Sequence, residues 1–502
     1  MNRILSFIDV LPRSIPAAIL FVAFSAVSVY FVRLGGMTLA SDECFFSEHA
    51  REMVLTGDYL TPRYGFMPDF HNGKPPFFYW AVAVSGGRIF GRFDELAARF
   101  PSAVAAFVTI IAVFFFALME FENKETAFFS AVILTFTQQF MFHGRVAWTD
   151  SLFVMFFTLA AIFFFKAFFP PQSGDKEISR VFFYLAAGFM TGCAVMTRQM
   201  AGFLILPVVV IYDILVGRRG YLTLRNKYFW ASMAVMCAVI LPWHILMIER
   251  YGKIFTGDYF GVNFNFAFHG NRATVNPWYE YFKIIISNYW PWLPLAVVGI
   301  YMTIVKFNKE GLDGVAHKKM FYILLWAVVP FAAFQIAKVK HARYILSVYV
   351  PLAIFASLAI DESIRNNLVR KFIKRAVIAA AFILSVVYIL FPVLPRTLDN
   401  RELEDVVPVI KRSVVNLPSE EVIYILNNHK MWDYRNALYF YASRVNKPTS
   451  FKKMKERIKS GQRYACYFVN RADYLMLDGV TKEVPKEIID STVDVVLFRV
   501  TK

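Results

Sequence analysis

About eleven apolar runs of membrane-spanning length, at roughly 16–32, 101–119, 126–143, 151–169, 181–197, 201–216, 228–248, 288–306, 320–338, 344–360 and 374–394, govern what this chain can fold into. A hydrocarbon layer accepts about 20 apolar residues per helix, and inside it every backbone N–H and C=O must be satisfied within that helix. A water-soluble core cannot absorb so many runs, and composition agrees: 57% of the 502 residues are hydrophobic and the mean hydropathy is +0.47. The expected fold class is therefore an α-helical polytopic membrane protein, several of its shorter spans standing close to upright. A formal net charge of +17 suggests nucleic acid only at first sight. Lys and Arg gather in the cytoplasmic loops of membrane proteins, where they face anionic lipid, so membrane lipids and no nucleic acid are the expected partners.

The basic links set an orientation. Gly217 to Lys227, Lys306 to Lys319 and Arg365 to Arg375 fall on one side when the spans are counted, and the positive-inside bias makes that side cytoplasmic. The N-terminus, with Arg3 and Arg13 ahead of the first span, is expected there too. Asp42, Asp150, a 249–287 loop, Lys340 to Arg343 and the C-terminus are then external. The run from Pro16 to Val32 lacks a small-residue cleavage site and reads as a retained span. Phe77 to Phe90, short and broken at Gly86-Gly87-Arg88, reads as re-entrant or juxtamembrane. Residues 1–394 form the expected membrane domain, with 39–75 as its first external loop. From 395 to 502 the apolar runs shrink, and EVIYIL, RYACYFV and VDVVLFRV read as strands of a small external α/β domain. KKMKERIK, Lys452 to Lys459, reads as a solvated helix face, and the four cysteines imply no disulfide framework.

Polar side chains return at the external boundary in four separated clusters. The first loop carries Asp42, Glu43, Arg63 and Lys74, the last followed by the rigid Pro75-Pro76. His143 to Asp150 adds Arg145 and Asp150 between two spans, Thr197-Arg198-Gln199 interrupts apolar sequence, and Lys338 to Tyr344 brings Arg343 and Tyr344. Two acids and several cations on one face of a membrane protein describe a site for an anionic head group at the lipid boundary. No phosphate-cradling glycine loop, zinc-type cysteine spacing or serine-nucleophile elbow occurs.

These residues carry a resemblance. Asp-Glu, then AREM-x-x-TGD-x-x-x-PR, KPP-x-x-YW, ARFPSA and GR-x-A-x-x-D, in that order, resemble the bacterial membrane glycosyltransferases that include the lipid A aminoarabinose transferase. The protein O-mannosyltransferases are more distant relatives of the same GT-C fold. The resemblance implies an inverting transfer of a sugar from a polyprenyl-phosphate donor to a hydroxyl or phosphate of lipid A, another glycan or a protein, at the periplasmic face of a bacterial inner membrane. It implies Asp42 as the base, Asp150 and Glu43 as further acids, and Lys74, Arg198, Arg343 and Tyr344 as holders of the carrier phosphate. Arg145 and Arg63 support the site, and the loop with His269 and Trp278 shapes the acceptor side. Many relatives have an acid where this chain has Gly73. His71 and His269 are the side chains left for a divalent metal, and metal-free transfer is the expected route.

Plainer readings stand beside these. Asp42 also suits a helix cap, Lys74 a snorkelling side chain, Arg145 with Asp150 a loop-closing pair, and Arg343 and Tyr344 the anchor of a span end. A secondary transporter would carry its charges near the midplane in duplicated halves, and this chain shows no duplication. A membrane scaffold has no use for acids and cations paired at span ends.

Overall fold

The computed structural model describes residues 9–70, 74–171, 176–216, 225–262, 276–311, 314–363, 367–391, 398–428, 431–462 and 465–501. The expected loop around His269, the imidazole of His71 and the Arg218-Arg219 pair lie outside the described residues.

The chain enters through α1 (Ile15–Tyr30) and then lays down α2 (Ser41–Thr56), the two-residue antiparallel strands β1 (Arg63–Tyr64) and β2 (Met67–Pro68), and the short α3 (Phe77–Val84) before the long α4 (Glu95–Phe121). A helix of eight residues is about 12 Å long, too short to cross a bilayer. Together with the π turn at Ser85–Ile89, α3 accounts for the Phe77 to Phe90 run without a crossing. The expected span at 126–143 is divided into α5 (Lys124–Thr135) and α6 (Gln138–His143). At the break the Tyr30 hydroxyl donates to the Thr135 carbonyl at 3.0 Å, satisfying a group that the helix end leaves free.

Next come α7 (Thr149–Phe168), α8 (Lys176–Arg198), α9 (Ile205–Val216) and α10 (Lys227–Phe255). Between α8 and α9 a 3₁₀ segment intervenes, with Gln199 at φ 52°. Helices α11 (Glu280–Asn288) and α12 (Leu293–Glu310) meet at a bend of 114°. The bundle closes with α13 (Val315–Ile336), a 3₁₀ turn at Ala342–Val348 running into α14 (Tyr349–Leu358), and α15 (Asn367–Leu390). Among the described residues seven helical runs are long and apolar enough to span, or eight if the bent pair is one span, and α1 is a shorter apolar helix. The protein is a multi-pass membrane protein.

Helices α8 and α10 touch at backbone distance. A Cβ placed on Gly188 would sit 2.1 Å from the Ser232 carbonyl, and one on Gly192 would lie 2.8 Å from the Val239 side chain. Small residues four apart allow such an approach, which in lipid replaces the hydrophobic drive that helices have in water. Gly188→Ala is expected to destabilise the protein by about 1–3 kcal/mol through overpacking. A thermal unfolding midpoint in detergent equal to that of the wild type would contradict this packing.

Ion pairs mark one end of the bundle. Arg13 and Lys374 both reach Glu125, Lys374 also holds Asp361 at 2.8 Å, and Arg375 pairs with Asp9 at 2.7 Å. The starts of α1, α5 and α15 therefore share that end. Glu120, at the end of α4, takes Lys166 and Lys319. The opposite end carries α2, α3 and the C-terminal residues. There β3 (Val422–Leu426), β4 (Asn446–Thr449), β5 (Ala465–Asn470), β6 (Lys486–Ser491) and β7 (Val495–Val500) form a sheet in the order β4-β3-β5-β7-β6. Pairing is parallel across β4, β3 and β5 and antiparallel from β5 outward.

Four further helices belong to the same end of the molecule: α16 (Leu398–Val409), α17 (Met431–Ala442), α18 (Phe451–Lys459) and α19 (Arg471–Val480). In α18 the four-residue spacing of Met454 and Ile458 buries one stripe while Lys452, Lys453 and Lys459 stay exposed. The KKMKERIK run is a solvated helix face, as its pattern implied.

Candidate active site

Both candidate acids occupy the second position of a helix. Ser41-Asp42 opens α2 and Thr149-Asp150 opens α7, where unpaired N–H groups and the helix dipole favour negative charge. The two differ in access: the Asp42 side chain is 42% exposed and that of Asp150 only 2%. Asp42 faces the Arg343 guanidinium at 3.6 Å, whereas Asp150 is paired directly with Arg198.

The two arginines are tied to each other. Arg198, the last residue of α8, also donates to the Arg343 backbone carbonyl at 3.3 Å and lies over the Tyr344 ring at 4.8 Å. Arg343 lies over the Trp148 ring at 5.1 Å. Such stacking on aromatic faces orients guanidinium groups and leaves N–H edges available to an anion.

Lys74 completes the set from the first loop. Its backbone N–H donates to the Tyr79 hydroxyl at 2.9 Å, so the KPP-x-x-YW motif folds back on itself and holds the lysine just ahead of α3. Burial, then the positive charges of Arg198 and Arg343, push the Lys74 ammonium down to about 8, with Asp150 and Asp42 acting in the opposite sense. His341 is lowered too, by burial and by the same two arginines. Below the Lys74 value, three cations face two carboxylates, leaving the cluster one positive charge in excess.

A pH test follows. The lysine is charged below about pH 8 and neutral above it, so affinity for a lipid phosphate is expected to fall as pH rises through that value. Lys74→Arg keeps its charge throughout and is expected to hold the affinity flat. Titration of polyprenyl-phosphate binding from about one unit below to about one unit above checks it, and parallel curves for both proteins would refute the assignment.

Other expected site residues lie outside this cluster. Glu43, expected beside Asp42 in the chemistry, is fully buried. Its carboxylate accepts from Arg99 Nε and Nη2 at 2.7 and 2.8 Å, from the Ala40 N–H at 2.7 Å and from the Ala147 N–H at 2.8 Å. Those four bonds use the acceptor capacity of an ionised carboxylate, so Glu43 is occupied in joining the start of α2 to the loop ahead of Asp150. Arg145 is spent on the Val29 and Val32 carbonyls at the end of α1. Arg63 pairs with Asp58 at 3.2 Å, which Arg250 also approaches. Trp278 is 72% exposed and packs edge-on against Tyr279 and Phe282. His269 lies outside the described residues. Among the described residues no three His, Cys, Asp or Glu side chains gather in a metal-holding group.

The sequence did not point to Trp148, to Tyr79 or to Phe153, whose ring lies 5.7 Å from the Arg198 guanidinium, as partners of the cations. Tyr79 stands in a quoted motif and was traceable. The other two are aromatic residues in aromatic-rich sequence, with no pattern to set them apart.

Over 96% of its length the chain superposes on the crystal structure of ArnT from Cupriavidus metallidurans bound to undecaprenyl phosphate, covering 97% of that chain at a TM-score of 0.76 and 18% identity. The protein has the GT-C glycosyltransferase fold. The archaeal oligosaccharyltransferase AglB from Archaeoglobus fulgidus shares it at a TM-score of 0.59 and 13% identity, over 93% of this chain and 71% of that one. Residues 73–246 match the family described as dolichyl-phosphate-mannose-protein mannosyltransferase. The undecaprenyl phosphate-alpha-4-amino-4-deoxy-L-arabinose arabinosyl transferase of Shewanella sediminis is 30% identical over 349 residues, 68% of this chain and 59% of that protein. A second such transferase, from Proteus mirabilis, is 27% identical over 384 residues, 74% of this chain and 66% of its own length. The aligned part of this GT-C chain thus spans about six tenths of the length of the first of these relatives.

Proposed function

We propose that the protein is an inverting glycosyltransferase that moves a sugar from a polyprenyl-phosphate carrier to an envelope acceptor such as lipid A or another glycan. One observation carries this reading: Asp42, Asp150, Lys74, Arg198 and Arg343, drawn from four separate stretches of sequence, meet at one end of the bundle. In the proposed step Asp42 takes the proton of the acceptor hydroxyl as its oxygen attacks the anomeric carbon. The bond from that carbon to the phosphate oxygen breaks, configuration inverts, and the electron pair leaves with the phosphate. Lys74, Arg198 and Arg343 receive the charge that grows there. Asp150 holds Arg198 in place and so orients the phosphate.

The end of the bundle bearing the cluster is read as periplasmic and the N-terminus as cytoplasmic, in a bacterial inner membrane. Support comes from the ion-paired end at Arg13, Glu125 and Lys374, which lies opposite, with the basic links at Lys306 to Lys319. On this reading residues 1–394 are the membrane domain and 395–502 a periplasmic α/β domain. A protein hydroxyl is the second acceptor reading, favoured by the match of residues 73–246 to protein mannosyltransferases.

The test is cell-free transfer of labelled sugar from undecaprenyl phosphate in proteoliposomes, with lipid A and a serine- and threonine-rich peptide as separate acceptors. Label in lipid A supports the first reading and label in peptide the second. Label that stays on the carrier with both acceptors present would sink both.

A further inference from the structure

The backbone that delivers Asp42 is held from the far end of the chain. Leu39 donates its N–H to the Tyr441 hydroxyl at 2.9 Å. Asn436 Nδ2 donates to the Ser41 carbonyl at 3.2 Å and to its hydroxyl at 2.9 Å. Tyr441 and Asn436 both stand on α17, and between their contact points Ala40 is capped by Glu43. Three consecutive residues are thus pinned immediately before Asp42, two of them by one helix of the C-terminal unit.

Asn436 is fully buried, and its Oδ1 accepts from the Tyr64 hydroxyl. Phe45, Tyr64, Tyr439 and Phe440 pack around it in one apolar cluster, with the Trp432 ring 5.3 Å from that of Phe45. A polar side chain satisfied on both sides inside an apolar contact admits one register and no slippage, because any displacement strands a buried donor or acceptor. By contrast, the Asp42 carboxylate is partly exposed and has Arg343 at 3.6 Å as its charged neighbour. Its aim is therefore set mainly by the backbone behind it.

We infer that Asn436 is a positioning residue for Asp42, so that the C-terminal unit takes part in turnover by fixing the start of the acid-bearing helix. This rests on the reading of Asp42 as the base. Full-length wild type, Asn436→Ala, Asn436→Asp and Ser41→Ala are compared in proteoliposomes with undecaprenyl-phosphate-linked sugar and lipid A. Asn436→Asp is nearly isosteric and keeps the acceptor for Tyr64 while removing the donor to Ser41. Ser41→Ala removes one of the two acceptors without opening the core.

Both Asn436 variants are expected to lose about tenfold to a hundredfold in kcat, while KM for the carrier and binding of undecaprenyl phosphate stay within about threefold. Ser41→Ala shifts kcat in the same direction by less, and is less than additive with Asn436→Ala. A lowered thermal midpoint with unchanged kcat per folded molecule overturns the inference. So does a raised KM with unchanged kcat. If the wild type itself transfers nothing, the parent reading has failed, a result told apart because no variant is needed to see it.

Discussion

Asp42→Asn is expected to lower turnover by about 10²–10⁴-fold while leaving the protein folded and able to bind a polyprenyl phosphate. The substitution keeps the size of the side chain and removes its capacity to hold a proton taken from a hydroxyl. The competing explanation, that Asp42 merely complements the start of α2, makes a different demand. An acid in the first turn of a helix contributes about 0.3–1 kcal/mol, so a purely structural Asp42 would show as a small change in thermal midpoint with turnover intact. Carrier binding separates the proposed base from the proposed anion holders. Asp42→Asn relieves Arg343 of its partner at 3.6 Å and is expected to bind undecaprenyl phosphate at least as tightly as the wild type. Weaker binding in step with lost turnover would place Asp42 in carrier recognition instead.

The second large effect is on stability. Glu43→Ala takes from Arg99, itself buried, the carboxylate it is hydrogen-bonded to, and breaking a buried ion pair in this way costs about 3–5 kcal/mol. Arg99→Leu is expected to be at least as damaging, because the same guanidinium also donates to the carbonyls of Leu34, Met37 and Thr38 at 3.1, 3.0 and 2.9 Å. Thermal unfolding in detergent and the yield of folded protein measure both. A Glu43→Ala protein with the stability of the wild type and no turnover would restore Glu43 to the chemistry.

Glu43 also shows how far primary structure can be read. The acidic pair after the first span identified a functional place, yet nothing in the letters distinguishes the half-exposed Asp42 from the buried Glu43. That difference is made by Arg99 and the Ala147 N–H, 56 and 104 residues away. Helices were legible because lipid demands long apolar runs. The gap between α5 and α6 was not, since the carbonyl it frees at Thr135 is satisfied by Tyr30 from another helix. In the C-terminal sheet the apolar β3, β5 and β7 could be read from their sequence, whereas β4 (NKPT) and β6 (KEIIDS) could not. Both are edge strands, where polar residues and proline discourage pairing with other chains, so they lack the alternation by which strands are recognised. Arg63 and Arg145, expected to support the site, could not be given their partners from sequence for a related reason. A boundary arginine reads the same whether it awaits a ligand or closes a loop, and only its partners decide.

The bridge that Glu43 makes between the start of α2 and Ala147 has an engineering corollary. The spacing of the two acid-bearing helix starts is fixed from behind, by a brace made of Glu43 and its buried partner Arg99. In chimeras of homologous proteins, exchanges that keep the brace within one parent are expected to preserve that spacing. Swaps that cross the brace, bringing the partner of Arg99 from one parent and Arg99 from another, carry the risk to folding.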